Sequence, residues 1–143
     1  MKPLALVIEN DGGTRKLLDV LLTRAGMEVD LVSSGSDALI LLAHARYDVL
    51  FIDLLLPGTS GMQVLEWIAR EHPPLLARAI VLSSAPEVQL QQVRDAWPQV
   101  HVIRKPFEVA DIGNVIRLCV AGYDEFMQEH APPPRARAAA SLH

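Results

Sequence analysis

From its first residues the chain alternates between short unbroken apolar runs and longer stretches in which apolar residues recur every three or four positions. Leu4-Ala5-Leu6-Val7-Ile8 is the first run, and a helical stripe follows through Leu17, Leu18, Leu21, Leu22 and Ala25, with Gly26 placed to end it. Residues 28–33 alternate as a half-buried edge strand does. Residues 36–46 repeat the helical stripe through Ala38, Leu39, Leu41, Leu42 and Ala45, with Ser36 as the expected cap. A third strand over 48–53 is apolar until it meets Asp53; a Pro57-Gly58 turn and a helix over 61–72 follow, ended by Pro73 and Pro74. The pattern then predicts a strand over 79–84, a short helix over 87–97, a strand over 100–105 and a last helix from about Glu108. The stripe of that helix runs through Ile112, Val115, Ile116, Cys119, Val120, Tyr123, Phe126 and Met127.

Five β–α units in series predict an α/β fold: a five-stranded parallel sheet with helices on both faces. Strands that are apolar at almost every position fit a sheet covered on both sides. From Ala131 the composition turns to prolines, arginines and small residues that build no core, so the expectation is a domain over 1–130 and a disordered tail or linker over 131–143.

Composition narrows the function. A formal net charge of −4 argues against a general nucleic-acid binder, which needs a concentrated basic surface. The single cysteine, Cys119, forms no internal disulfide and fits a reducing, cytoplasmic setting. The amino-terminal residues lack the pattern of a signal peptide, and no apolar run approaches the ~18 residues of a membrane span. The histidines at 44, 72, 101, 130 and 143 have no metal-ligand spacing.

The informative polar residues stand at strand ends. The first strand ends in Glu9-Asn10-Asp11, the third in Asp53, the fourth in Ser83-Ser84 and the fifth in Arg104-Lys105-Pro106. Open α/β sheets bind ligands along this carboxyl edge. Carboxylates gathered there need a counter-charge, and hard oxygen donors suit Mg2+. A lysine and a hydroxyl beside them suit an oxyanion such as a phosphoryl group held next to a carboxylate.

These residues resemble the receiver domains of bacterial two-component response regulators, over roughly residues 3–128. The resemblance rests on "DVLFIDLLLPGTSGMQVL", on "VIRKPF", and on the spacing of 52 residues from Asp53 to Lys105. It implies a flavodoxin-like (βα)5 doubly wound sheet with strand order 2-1-3-4-5. It implies Asp53 as phosphoacceptor, Lys105 as phosphate contact, and Ser84 as the switch hydroxyl, with Ser83 competing for that role. It further implies a Mg2+ site formed by Glu9, Asn10, Asp53 and the Leu55 backbone carbonyl, with Asp11 as an additional candidate. The peptide from Lys105 to Pro106 is often cis in the family.

Four positions depart from the family pattern. Asn10 stands where an acid usually touches the metal, so charge and affinity should fall. Val102 replaces the aromatic switch residue, and neighbouring His101 should face the other side of the sheet. The positions that tune phosphoryl hydrolysis, taken as Leu55 and Pro86, cannot orient a water, which implies slow loss of phosphate.

The expected function is therefore acceptance of a phosphoryl group from a sensor histidine kinase or histidine phosphotransfer protein. The signal then passes through contacts with a downstream protein, with no output domain in this chain, no direct nucleic-acid or membrane contact, and no enzymatic turnover beyond chemistry at Asp53. Tyr123, Phe126 and Met127 are expected to overhang the layer as a surface for a homodimer or partner. Trp67 and Trp97 are read as packing residues. The alternative is a pseudo-receiver that signals without phosphate, favoured by Asn10 and Val102. An aspartate-nucleophile phosphatase would want an acid at Leu55, and a flavin carrier would want a phosphate loop where Glu9, Asn10 and Asp11 stand.

Overall fold

The computed structural model describes the backbone of residues 2–130 and the side chains of residues 2–119. The five strands are β1 (Leu4–Ile8), β2 (Glu28–Val32), β3 (Val49–Ile52), β4 (Ala79–Ser83) and β5 (His101–Arg104). They are all parallel and lie in the order β2-β1-β3-β4-β5. The helices are α1 (Gly12–Arg24), α2 (Gly35–His44), α3 (Gly61–Glu71), α4 (Glu87–Ala96) and α5 (Val109–His130).

The run Leu4–Ile8 is buried at every position because β1 is a central strand. Its pleat sends Leu4, Leu6 and Ile8 into one core layer, with Val64, Leu65 and Ile68 of α3. Ala5 and Val7 enter the other layer, with Leu18 and Leu22 of α1 and Ile112 and Ile116 of α5. Cys119 is buried in this second layer. Each fully buried Leu or Ile contributes about 1.5–3 kcal/mol of transfer free energy.

Helix starts follow local chemistry. Ser34, rather than Ser36, caps α2, accepting from the Asp37 amide at 3.2 Å; the helix begins at Gly35, so Ser36 already lies inside its first turn. In α3, Ser60 accepts from the Gln63 amide at 3.2 Å while Gln63 Oε1 accepts from the Ser60 amide at 2.9 Å. Gly26 (φ +90°) follows the end of α1 in the left-handed region. Pro73 and Pro74 do end α3, but they also open a 3-10 helix, Pro73–Arg78, that the apolar pattern left unassigned. Proline's fixed φ suits a first helical turn.

The expected overhang of Tyr123, Phe126 and Met127 lies outside the described side chains, and the tail over 131–143 lies outside the described residues. No helix among the described residues is long and apolar enough to cross a membrane.

Candidate functional site

Strand order decides which strand ends meet. The chain leaves β1 outward to β2 and later returns to β3 on its other side, so the crevice opens at the carboxyl ends of β1 and β3. Backbone hydrogen bonds carry the ladder one residue further: the Glu9 amide donates to Val32, the Asp53 amide to Ile8 and the Lys105 amide to Ser83. The charged residues are thus held on sheet backbone.

Glu9 and Asp53 are 2% and 6% exposed. Lys105 Nζ donates to Glu9 Oε1 at 2.6 Å and to Asp53 Oδ2 at 3.1 Å. Glu9 Oε2 accepts from the Asp11 amide at 3.1 Å. Asp53 Oδ1 accepts from the Leu55 amide at 2.9 Å and from the Ser83 hydroxyl at 2.6 Å. Burial raises the Glu9 pKa despite the lysine contact. Burial alone would lower the Lys105 pKa, but its hydrogen bonds to Glu9 and then Asp53 raise it instead. One ammonium is thus shared by two buried carboxylates.

The hydroxyl against Asp53 belongs to Ser83, not Ser84. Ser83 is wholly buried as the last residue of β4, whereas Ser84 is exposed one step beyond it. Ser83 Oγ also accepts from the Ala85 amide at 3.1 Å, closing the turn into α4. The position two after this hydroxyl is therefore Ala85, buried and apolar, rather than Pro86.

Asn10 and Asp11 are exposed. Asp11 caps α1, its Oδ2 accepting from the Thr14 hydroxyl at 2.6 Å and the Thr14 amide at 2.8 Å. Those bonds hold its carboxyl below the usual range. Leu55 is exposed, and Val102 is half-buried against the α2 and α3 layer. The peptide between Lys105 and Pro106 is cis.

Arg15 was not singled out by the sequence pattern. Its Nη1 donates to the Glu9 carbonyl at 2.9 Å, folding the first turn of α1 back over the loop.

Among the described residues, no three His, Cys, Asp or Glu side chains form a metal cluster. Glu9 and Asp53 nonetheless bring buried hard oxygens, of the kind that suits Mg2+, to the same lysine.

A sequence profile of the response regulator receiver domain matches residues 5–117. The DNA-binding transcriptional regulator NtrC of Klebsiella pneumoniae is 26% identical over 132 residues, 91% of this chain and 27% of that protein. The transcriptional regulatory protein AfsQ1 of Streptomyces coelicolor is 41% identical over 68 residues, 48% of this chain and 30% of that protein. The chain thus spans under a third of the length of these curated relatives. In fold, it is similar to a CheY-like response regulator receiver domain protein from Methanospirillum hungatei (TM-score 0.78, 16% identity, 87% of this chain and 98% of that one). It is also similar to a receiver domain protein from Clostridium thermocellum (TM-score 0.72, 23% identity, 87% of this chain and 99% of that one). A profile match over most of the described residues settles the family: the chain belongs to the response regulator receiver domains.

Proposed function

We propose that Asp53 accepts a phosphoryl group from a phosphohistidine on a sensor kinase or phosphotransfer protein. The observation that carries this reading is a buried carboxylate flanked by a hydroxyl at 2.6 Å and an ammonium at 3.1 Å. An Asp53 carboxylate oxygen attacks phosphorus as the bond from phosphorus to the imidazole nitrogen breaks. The carboxylate becomes an acyl phosphate, and the donor imidazole, protonated on its other ring nitrogen, leaves as neutral histidine. Lys105 and Ser83 already point at Asp53, so they are placed to donate to the oxygens of the arriving group.

Mg2+ would be held by Glu9, Asn10, Asp53 and the Leu55 carbonyl, and when bound it neutralises charge on the phosphoryl oxygens. Asp11 is engaged as a helix cap, which leaves the uncharged Asn10 as the side-chain donor beside Glu9. Exposed Leu55 and buried Ala85 offer no polar group to orient an attacking water, which favours a long-lived acyl phosphate. The signal then passes by protein contact in the cytoplasm. The curated relatives are named as transcriptional regulators, and the downstream partner of this chain is a protein yet to be identified.

The test is intact mass after incubation with a small acyl-phosphate donor. A Mg2+-dependent phosphoryl adduct is expected, absent in Asp53→Asn, and Asn10→Asp should form it at lower Mg2+.

One observation favours a second reading, a receiver that signals without phosphate. Among the described residues every buried side-chain polar atom already has a hydrogen-bond partner, so Lys105 completes the site without a metal or phosphate. No adduct at any Mg2+ concentration would select this reading.

A further inference from the structure

β5 is one of the two edge strands of the sheet. Its register sets Ser83 against Arg104, and the Lys105 amide donates to the Ser83 carbonyl at 3.0 Å. In a parallel ladder this turns His101, Ile103 and Lys105 toward β4, and it turns the N–H and C=O groups of Val102 and Arg104 outward. No turn, loop or side chain among the described residues pairs with those four groups. A groove of about 470 Å³ runs along the same edge, between β5 and the first turns of α5. Half-buried Ile103, Phe107 and Val115 line it and pack against the second core layer. Glu108 and Asp111 stand exposed on its rim. Neither carboxylate has an ion-pair partner among the described residues. The cation that lines the groove, Arg104, is bound to Glu87 at 2.9 Å, and Arg117 of α5 donates to Asn114 rather than to either acid.

We propose that this edge takes a sixth strand, an extended segment of a partner protein that carries an apolar residue and a lysine or arginine two positions apart. An exposed sheet edge is a template for pairing. In such pairing, main-chain hydrogen bonds give affinity and alternate side chains give the choice of sequence. Residues two apart on a strand share a face. The apolar one lies over Ile103 and Phe107, and the cation reaches Glu108 and Asp111. Two unpaired acids on the rim favour a cation over an acid at that position.

The probe is the peptide acetyl-Thr-Val-Thr-Arg-Thr-amide, which sets its valine and arginine on one face of a strand, added to the 15N-labelled full chain. Saturable shifts of the Val102 and Arg104 amides are expected, with a Kd of about 1 mM or tighter, together with slower hydrogen exchange at both. Glutamate in place of the peptide's arginine should weaken binding at least about five-fold, as should Glu108→Gln combined with Asp111→Asn. Of two peptides N-methylated on alternate residues, one should keep binding and the other lose it, because only every second N–H of a strand faces its neighbour. Equal binding of the arginine and glutamate peptides would overturn the proposal. So would equal binding of the two N-methylated peptides, shifts at β2 as large as those at β5, or no saturation by about 10 mM. If residues 131–143 or a second copy already filled the edge, the Val102 and Arg104 amides would exchange slowly in the free protein, and that result would overturn it too.

Discussion

Ser83 and Ser84 carry the same side chain one residue apart, and the end of β4 between them leaves them in different environments. Ser83 donates to the buried Asp53 carboxylate, while Ser84 is exposed. Ser83→Ala should therefore cost about 1–3 kcal/mol, the cost of leaving a buried charged acceptor one donor short. Ser84→Ala should stay within about 0.5 kcal/mol. Urea denaturation of both variants checks this, and equal losses would contradict the assigned hydrogen bond. Residue type alone could not separate the pair, because the answer depends on where β4 stops. Glu9, Asp53 and Lys105 were legible for the opposite reason: a charge at the end of an apolar run needs no register to stand out. Arg15 was not, since its contact is with a backbone carbonyl six residues earlier, and nothing in the side-chain pattern marks a carbonyl.

The five strands and five helices follow from apolar periodicity, whereas their boundaries follow from caps that periodicity does not encode. The start of α3 shows what such a boundary is worth. Ser60→Ala removes one half of a reciprocal cap and should cost about 1 kcal/mol. Gly61→Ala should cost more, because a Cβ there would lie 2.3 Å from the Asp53 carbonyl oxygen and 2.6 Å from Leu54 Cα, both backbone atoms that cannot swing aside. Thermal or urea unfolding ranks the two, and a milder Gly61→Ala would show that the loop after β3 has room to give. The same close approach ties the start of α3 to the residue proposed to be phosphorylated. The 3-10 helix at Pro73–Arg78 was hidden because paired prolines read equally well as a stop and as a first turn.

At the scale of the whole molecule, His72 makes stability depend on pH. Its folded pKa is lowered, so the unfolded chain takes up a proton more readily than the native one. Above the unfolded value, about 6.5, this group contributes no pH dependence. As pH falls from there through the folded pKa, the unfolded state gains protons first and stability is lost. His72→Asn should flatten the fall of the urea midpoint between pH 7 and 5; an unchanged slope would place the effect elsewhere. The parallel sheet was legible because five β–α repeats build one, its strand order came only through the family resemblance, and the cavity lined by Tyr47, Trp67 and His72 came through neither. It exists where two helix ends diverge, a matter of packing that no linear pattern records.

The amides of Glu9, Asp53 and Lys105 all donate to neighbouring strands. Freeing any of them costs a ladder hydrogen bond that a loop does not have to break. The backbone under the charged centre should therefore loosen less readily than the turns beside it. Its geometry should persist for as long as a molecule remains folded, and adaptation to a partner falls to the turns around it.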